Sequence, residues 1–194
     1  MGFTIKGSGD GKEVIVNSDN RLITSSVSDS REHHINHQDG QAYNVLFKQS
    51  ITAADDVMFY MKNTSETDMT VEGFNLGFIN AAAVDLEFYI KIGCSGTRNG
   101  ANDVVPANLN AGSGNIATGD FEYGADLDGG AATLSGGTEI ERYVFANVQD
   151  RESSFINFEQ DVLITKNQTL SMWATDATAI YYVTIPFNYH GIDV

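Results

Sequence analysis

A chain of 194 residues that is 42% hydrophobic and 19% charged has the balance of one globular domain with its own core, and overall disorder is excluded. With 11 Lys and Arg against 26 Asp and Glu, the net charge is -15. That charge repels phosphate backbones and anionic lipid, so neither nucleic acid nor a membrane is an expected partner.

The N-terminal residues 1–20, with the flexible Gly7-Ser8-Gly9-Asp10-Gly11, read as an arm or edge strand whose apolar side chains are Phe3, Ile5, Val14 and Val16. The opening Met1-Gly2-Phe3-Thr4-Ile5-Lys6 lacks the apolar run of a signal peptide, and assembly in a cytoplasm is the expectation. Residues 21–194 are expected to form a single domain. Its first strands fall at 21–27, 42–48, 57–62 and 69–79, where β-branched and aromatic residues gather. Asn80-Ala81-Ala82-Ala83 is the best helical stretch, and it is too short for more than one turn.

The alternation is clearest over 84–92, where Val84, Leu86, Phe88, Ile90 and Ile92 oppose Asp85, Glu87, Tyr89 and Lys91, a strand with one dry and one wet face. Residues 93–137 break the rhythm with Gly, Asn, Ala, Ser and Asp. A structureless loop of that length is improbable in a compact domain, so this insertion is expected to carry short strands near 103–105 and 120–123 and to lie over the domain or reach a neighbour. Strands follow at 139–145, 162–165, 170–174 and 181–189. In the last, Pro186 cannot donate to a ladder and predicts an edge strand or a bulge. The connections are too short for crossover helices, so pairing is antiparallel. The predicted fold is all-β, a two-sheet antiparallel sandwich of jelly-roll type with a long Gly/Asn/Ala-rich insertion.

Chemistry-bearing residues are sparse. His33, His34 and His37 sit close together, but in a polar connector without further ligands at zinc spacing they read as solvated or interface histidines. His190 is the one remaining histidine, so a cupin-like His-x-His set is incomplete. Asp126 and Asp128 among glycines suggest a calcium loop, yet the position of the closing Glu in an EF-hand is Gly137, and an acidic turn is the simpler reading. No nucleophile elbow, Walker loop or dinucleotide fingerprint is present. Cys94, the single cysteine, rules out an internal disulfide and reads as a small buried residue with no histidine near it in sequence. Asn63-Thr64-Ser65 and Asn167-Gln168-Thr169 match the glycosylation sequon but read as turns. No catalytic residue, metal or cofactor is expected. Tyr60, Tyr89 and Tyr182 fall on strand faces opposite the core, where tyrosines serve subunit contacts or sugar platforms.

The sequence resembles the capsid decoration or cement proteins of tailed bacteriophages and related jelly-roll virion proteins. The resemblance is carried by Gly9-Asp10-Gly11-Lys12-Glu13-Val14 leading to Arg21-Leu22-Ile23-Thr24, by Gly40-Gln41-Ala42-Tyr43-Asn44-Val45, and by the closing 163–174 segment with its Lys166-Asn167 turn. It implies a non-enzymatic virion protein on the capsid exterior, a homotrimer that contacts the major capsid protein and bridges neighbouring subunits. The contact residues would be Phe3, Ile5, Val14, Val16, Tyr60, Tyr89 and Tyr182. Alternative readings are a receptor- or glycan-binding head-fibre or tail-tip domain, and a tail or neck adaptor.

Overall fold

The computed structural model describes residues 5–6, 13–16, 22–23, 39–51, 55–96, 102–124, 134–175 and 179–190. The chain forms two compact units, Met1–Arg31 and Glu32–Val194. In the first, β1 (Ile5–Lys6), β2 (Glu13–Val16) and β3 (Leu22–Ile23) make a three-stranded antiparallel sheet. Ile5 lies across from Val14, and Val16 across from Leu22.

The second unit is all-β. Its strands are β4 (Ala42–Gln49), β5 (Asp56–Asn63), β6 (Asp68–Ser95), β7 (Ala107–Asn108), β8 (Gly119–Tyr123), β9 (Ser135–Ile164), β10 (Thr169–Ala174) and β11 (Ala179–His190). Every pairing is antiparallel. Two strands are unusually long, β6 with 28 residues and β9 with 30. They pair with each other along most of their length and belong to two sheets at once. The first half of β6 takes β11 as its other neighbour, and the second half takes β10.

The result is two antiparallel five-strand sheets. Sheet I runs β7-β4-β11-β6-β9, and sheet II runs β8-β5-β10-β6-β9. If each half of β6 and β9 is counted as its own strand and the insertion is set aside, the orders are first-eighth-third-sixth and second-seventh-fourth-fifth. This is the connectivity of a jelly roll. Asn80-Ala81-Ala82-Ala83 is therefore not a helical turn but the crossing point of β6. Runs that look like separate strands in sequence, 69–79 with 84–92 and 139–145 with 162–165, are the arms of single strands.

Between the sheets lies one apolar core. Tyr43, Val45 and Phe47 of β4 with Tyr181, Val183, Ile185, Phe187 and Tyr189 of β11 face Phe59 and Met61 of β5, Leu86, Phe88 and Ile90 of β6, and Leu170 and Met172 of β10. Strict alternation puts these side chains on one face of each strand. Strand β11 is central, lying between β4 and β6, not at an edge. Pro186 is accommodated because the ladder to β6 breaks its register between Thr184 and Phe187, while Pro186 still lies in register with Asn44 of β4. The missing N–H thus falls at a bulge.

The insertion supplies the outermost strand of each sheet. Strand β7 pairs with β4 and β8 with β5, so residues 107–123 close the side of the sandwich away from β9. The expected strand at 120–123 is β8; Asp103 forms an isolated β-bridge to Glu122 in place of a strand, and the other short strand lies at Ala107–Asn108. Asparagine side chains organise this strap by standing in for backbone groups. The Asn108 amide donates to the carbonyls of Gly40 and Asn115 at 2.9 Å, and its Oδ1 accepts from the Asn110 N–H at 2.7 Å. Tyr189 donates to the Thr118 carbonyl at 2.7 Å, and Phe121 stacks on Phe187 at 5.3 Å, tying the strap to the core. The sequons are turns, as expected: buried Asn63 donates to Thr67 and Ile164 carbonyls, both at 2.8 Å, and Asn167 has φ 65°.

Candidate functional site

The two sheets differ in what their outer faces present. On sheet II, Val57, Trp173, Tyr89 and Arg142 fall in one cross-strand row from β5 to β9. Tyr60, Ser171 and Lys91 lie in a second row. Tyr89 and Trp173 stack at 6.0 Å. Lys91 Nζ sits 4.1 Å from the Trp173 ring, and the Arg142 guanidinium 4.4 Å from the Tyr89 ring, so the aromatic quadrupoles are capped by cations.

Each polar end is also held. The Tyr89 hydroxyl donates to Asp55 Oδ1 at 3.0 Å, Trp173 Nε1 donates to Ser171 Oγ at 2.9 Å, and Arg142 is gripped by Glu139 and Glu87. The Arg142 hydrogen bond holds the Glu139 carboxyl below its ordinary range. Burial, followed by the Asp55 contact, raises the Tyr89 phenol well above its own. Cys94 joins this cluster, since Gly93 at φ 77° turns the chain past Ile92. Its thiol lies 3.0 Å from Ser171 Oγ and 3.2 Å from the Gly136 carbonyl, a buried structural position.

Sequence alternation places Tyr60 and Tyr89 on the outer face correctly, but they are covered there, with 5% and 3% of their surface exposed beside Trp173 at 6%. As outward platforms they are corrected: the aromatic row is sealed within the chain by Lys91, Arg142, Leu134 and Cys94. Tyr182 differs. It lies on the outer face of sheet I and is 39% exposed, with Lys48 Nζ 5.4 Å from its ring.

Sheet I carries an open row that mirrors the sealed one. Leu46, Thr184, Asn75 and Phe155 follow one another from β4 to β9. Leu46 is 58% exposed, Phe155 51% and Ile79 49%. The strap adds Val105, Leu109 and Ile116, all exposed. Val105 and Ile116 border a shallow cleft of about 270 Å³ with Val104, Pro106 and Phe121. These exposed apolar residues were missed by sequence reading, because Leu46 and Phe155 look like core residues until register assigns their faces.

Ile5, Val14 and Val16 lie in the small N-terminal sheet, while Phe3 lies outside the described residues. So do His33, His34 and His37, and the Asp126 and Asp128 loop. Among the described residues, no group of three or more His, Cys, Asp or Glu is placed to hold a metal ion. No described helix is long and apolar enough to cross a membrane.

No family model and no curated protein matches the sequence. Among solved structures, the chain is similar to infectious bursal virus derived T=1 particles, at 14% identity and a TM-score of 0.21, over 97% of this chain and 49% of that one. It spans about half the length of that neighbour, and a likeness of this size argues neither fold nor role. The architecture and the surface define a jelly-roll sandwich with a covered aromatic row on sheet II and an open row on sheet I.

Proposed function

We propose that this chain is a non-enzymatic structural protein of a tailed-bacteriophage virion, a decoration or cement subunit on the capsid exterior. It assembles as a homotrimer and bridges neighbouring major capsid proteins. The observation that carries this reading is the uneven surface: exposed apolar side chains gather on sheet I and on the strap, while on sheet II the aromatic row is covered and Val144 of β9 is the exposed apolar residue of that face. Large exposed apolar side chains grouped on one face are the mark of a surface that another protein covers. Acidity suits an outer shell, held away from packaged nucleic acid. A glycan-binding role loses two of its three tyrosines to burial.

Electron microscopy of the native particle is the test. The expected result is three-fold density at lattice junctions, with Leu46, Phe155 and Tyr182 turned onto a neighbouring subunit. Density inside the shell, or a face carrying these residues open to solvent, rejects the assignment.

A further inference from the structure

Strand β9 is the outermost strand of both sheets, and among the described residues it pairs only with β6. Among the described residues, its other edge is unpaired along both legs. Between the legs, at the mouth of the sandwich, lies a cleft of about 420 Å³. Ile92, Ile140, Phe158 and Val162 make an apolar floor, and Glu141 on one leg faces Glu159 and Asp161 on the other. Among the described residues, no Lys or Arg lines it.

Both legs bulge at this place. Ile140 is an extra residue between the pairs Ile90 with Glu141 and Lys91 with Glu139. On the other leg, residues 158–161 stand opposite Glu72 alone, between the pairs Val71 with Val162 and Gly73 with Asn157. The second bulge is locked at its base by Gly73, where a Cβ would lie 2.2 Å from the Ile156 carbonyl oxygen. Bulges re-aim side chains and end pairing, and they concentrate beside functional sites. Here they turn Phe158 inward and set Glu159 and Asp161 on the rim.

We propose that this cleft docks an extended basic segment of a partner protein, which lays its backbone along a β9 edge. One large apolar side chain of that segment rests on Ile140 and Phe158. Lys or Arg on either side of it meets Glu141 across from Glu159 and Asp161. Charge complementarity selects the occupant. A second copy of this chain does not fit, because no two of its 11 Lys and Arg fall within five positions of each other and its net charge is -15. This inference goes beyond the virion reading and stands without it.

The test uses the full chain and a fluorescein-labelled peptide, Lys-Thr-Lys-Phe-Arg-Thr-Lys, followed by anisotropy. Saturable binding is expected, weakened at least tenfold when the peptide Phe becomes Ser. A similar loss is expected from Glu159→Lys with Asp161→Lys, but not from Glu66→Lys on the turn between β5 and β6, outside the cleft lining. Amide shifts on binding should gather at 140–141 and 158–163. No saturation at millimolar peptide, an unaffected Phe-to-Ser peptide, or equal loss from Glu66→Lys overturns the site in favour of plain charge attraction. Should the double variant fail to fold, the peptide series and the shift map on the unaltered chain decide. Because the assay needs no particle, its failure leaves the capsid reading untouched, and the reverse holds.

Discussion

The outer faces of the two sheets are built from the same kind of row, four residues across four strands, and they have opposite fates. On sheet II the row Val57, Trp173, Tyr89, Arg142 is closed by its own chain; on sheet I the row Leu46, Thr184, Asn75, Phe155 is left open. The difference lies in the long polar side chains. Lys91 and Arg142 lay their stems and charges over aromatic rings, and Glu87 and Glu139 hold the arginine. Among the described side chains sheet I has one such cation, Lys48 over Tyr182, and none of them gives Leu46 or Phe155 comparable cover. A sealed face contributes to the stability of the monomer. An open apolar face adds little to that stability and much to association.

The sharpest way to break this comparison is to remove the centre of the sealed row. Trp173→Ala leaves a cavity beside Tyr89, strips Lys91 of the nearer of its two rings, and frees Ser171 from the indole N–H. A buried Trp replaced by Ala costs about 3–5 kcal/mol, a large share of the total for a domain of this size. Thermal melting should show a fall of roughly 10 °C. A loss of under about 1 kcal/mol would mean that the face is not sealed as described.

Tyr89→Phe probes the same row more gently, and its pH dependence carries the sign. Burial and the Asp55 contact raise the Tyr89 phenol above its ordinary value, so the folded chain keeps a proton that the unfolded chain releases near pH 10. Stability from this group is complete below about pH 10 and falls above it, by about 1.4 kcal/mol per pH unit. Tyr143, pushed up to about 12 by burial and then by Glu141, adds a parallel decline. Denaturant titrations at pH 8 and pH 11 should show Tyr89→Phe costing about 1 kcal/mol at the lower pH for the lost hydrogen bond. At the higher pH it should fall less steeply than the unaltered chain. Equal slopes would remove the buried phenol from the account.

The jelly-roll class was legible in sequence because period-2 alternation survives in 84–92 and 181–189, where the dry residues Leu86, Phe88, Ile90, Val183 and Ile185 are all buried. What was not legible followed from tertiary context. Alternation says that Tyr89 points outward but not that Arg142, far along the chain, will cover it. It cannot show that 69–79 and 84–92 are one strand, since the crossing Asn80-Ala81-Ala82-Ala83 has low β propensity and is carried by its pairing partners. Pro186 forecast an irregularity correctly, but a bulge let a central strand absorb it. The cleft at β9 was invisible because its two acidic sides lie on opposite legs of one strand.

The mildest substitution tests the open face, and a near-zero effect on the monomer is the informative part. Leu46→Ser with Phe155→Ser removes two side chains that are 58% and 51% exposed. Surface changes of this kind usually shift stability by no more than about 0.5 kcal/mol, so the melting curve at low concentration should hardly move. Association should respond instead. Light scattering at rising concentration is expected to show the unaltered chain forming trimers and the double variant remaining monomeric, because the apolar area that drives contact has been made polar. If the double variant melts several kcal/mol lower, the face is internally packed and the contrast between the sheets disappears. If both chains associate equally, the contact lies elsewhere, and the strap residues Val105, Leu109 and Ile116 are the next to change.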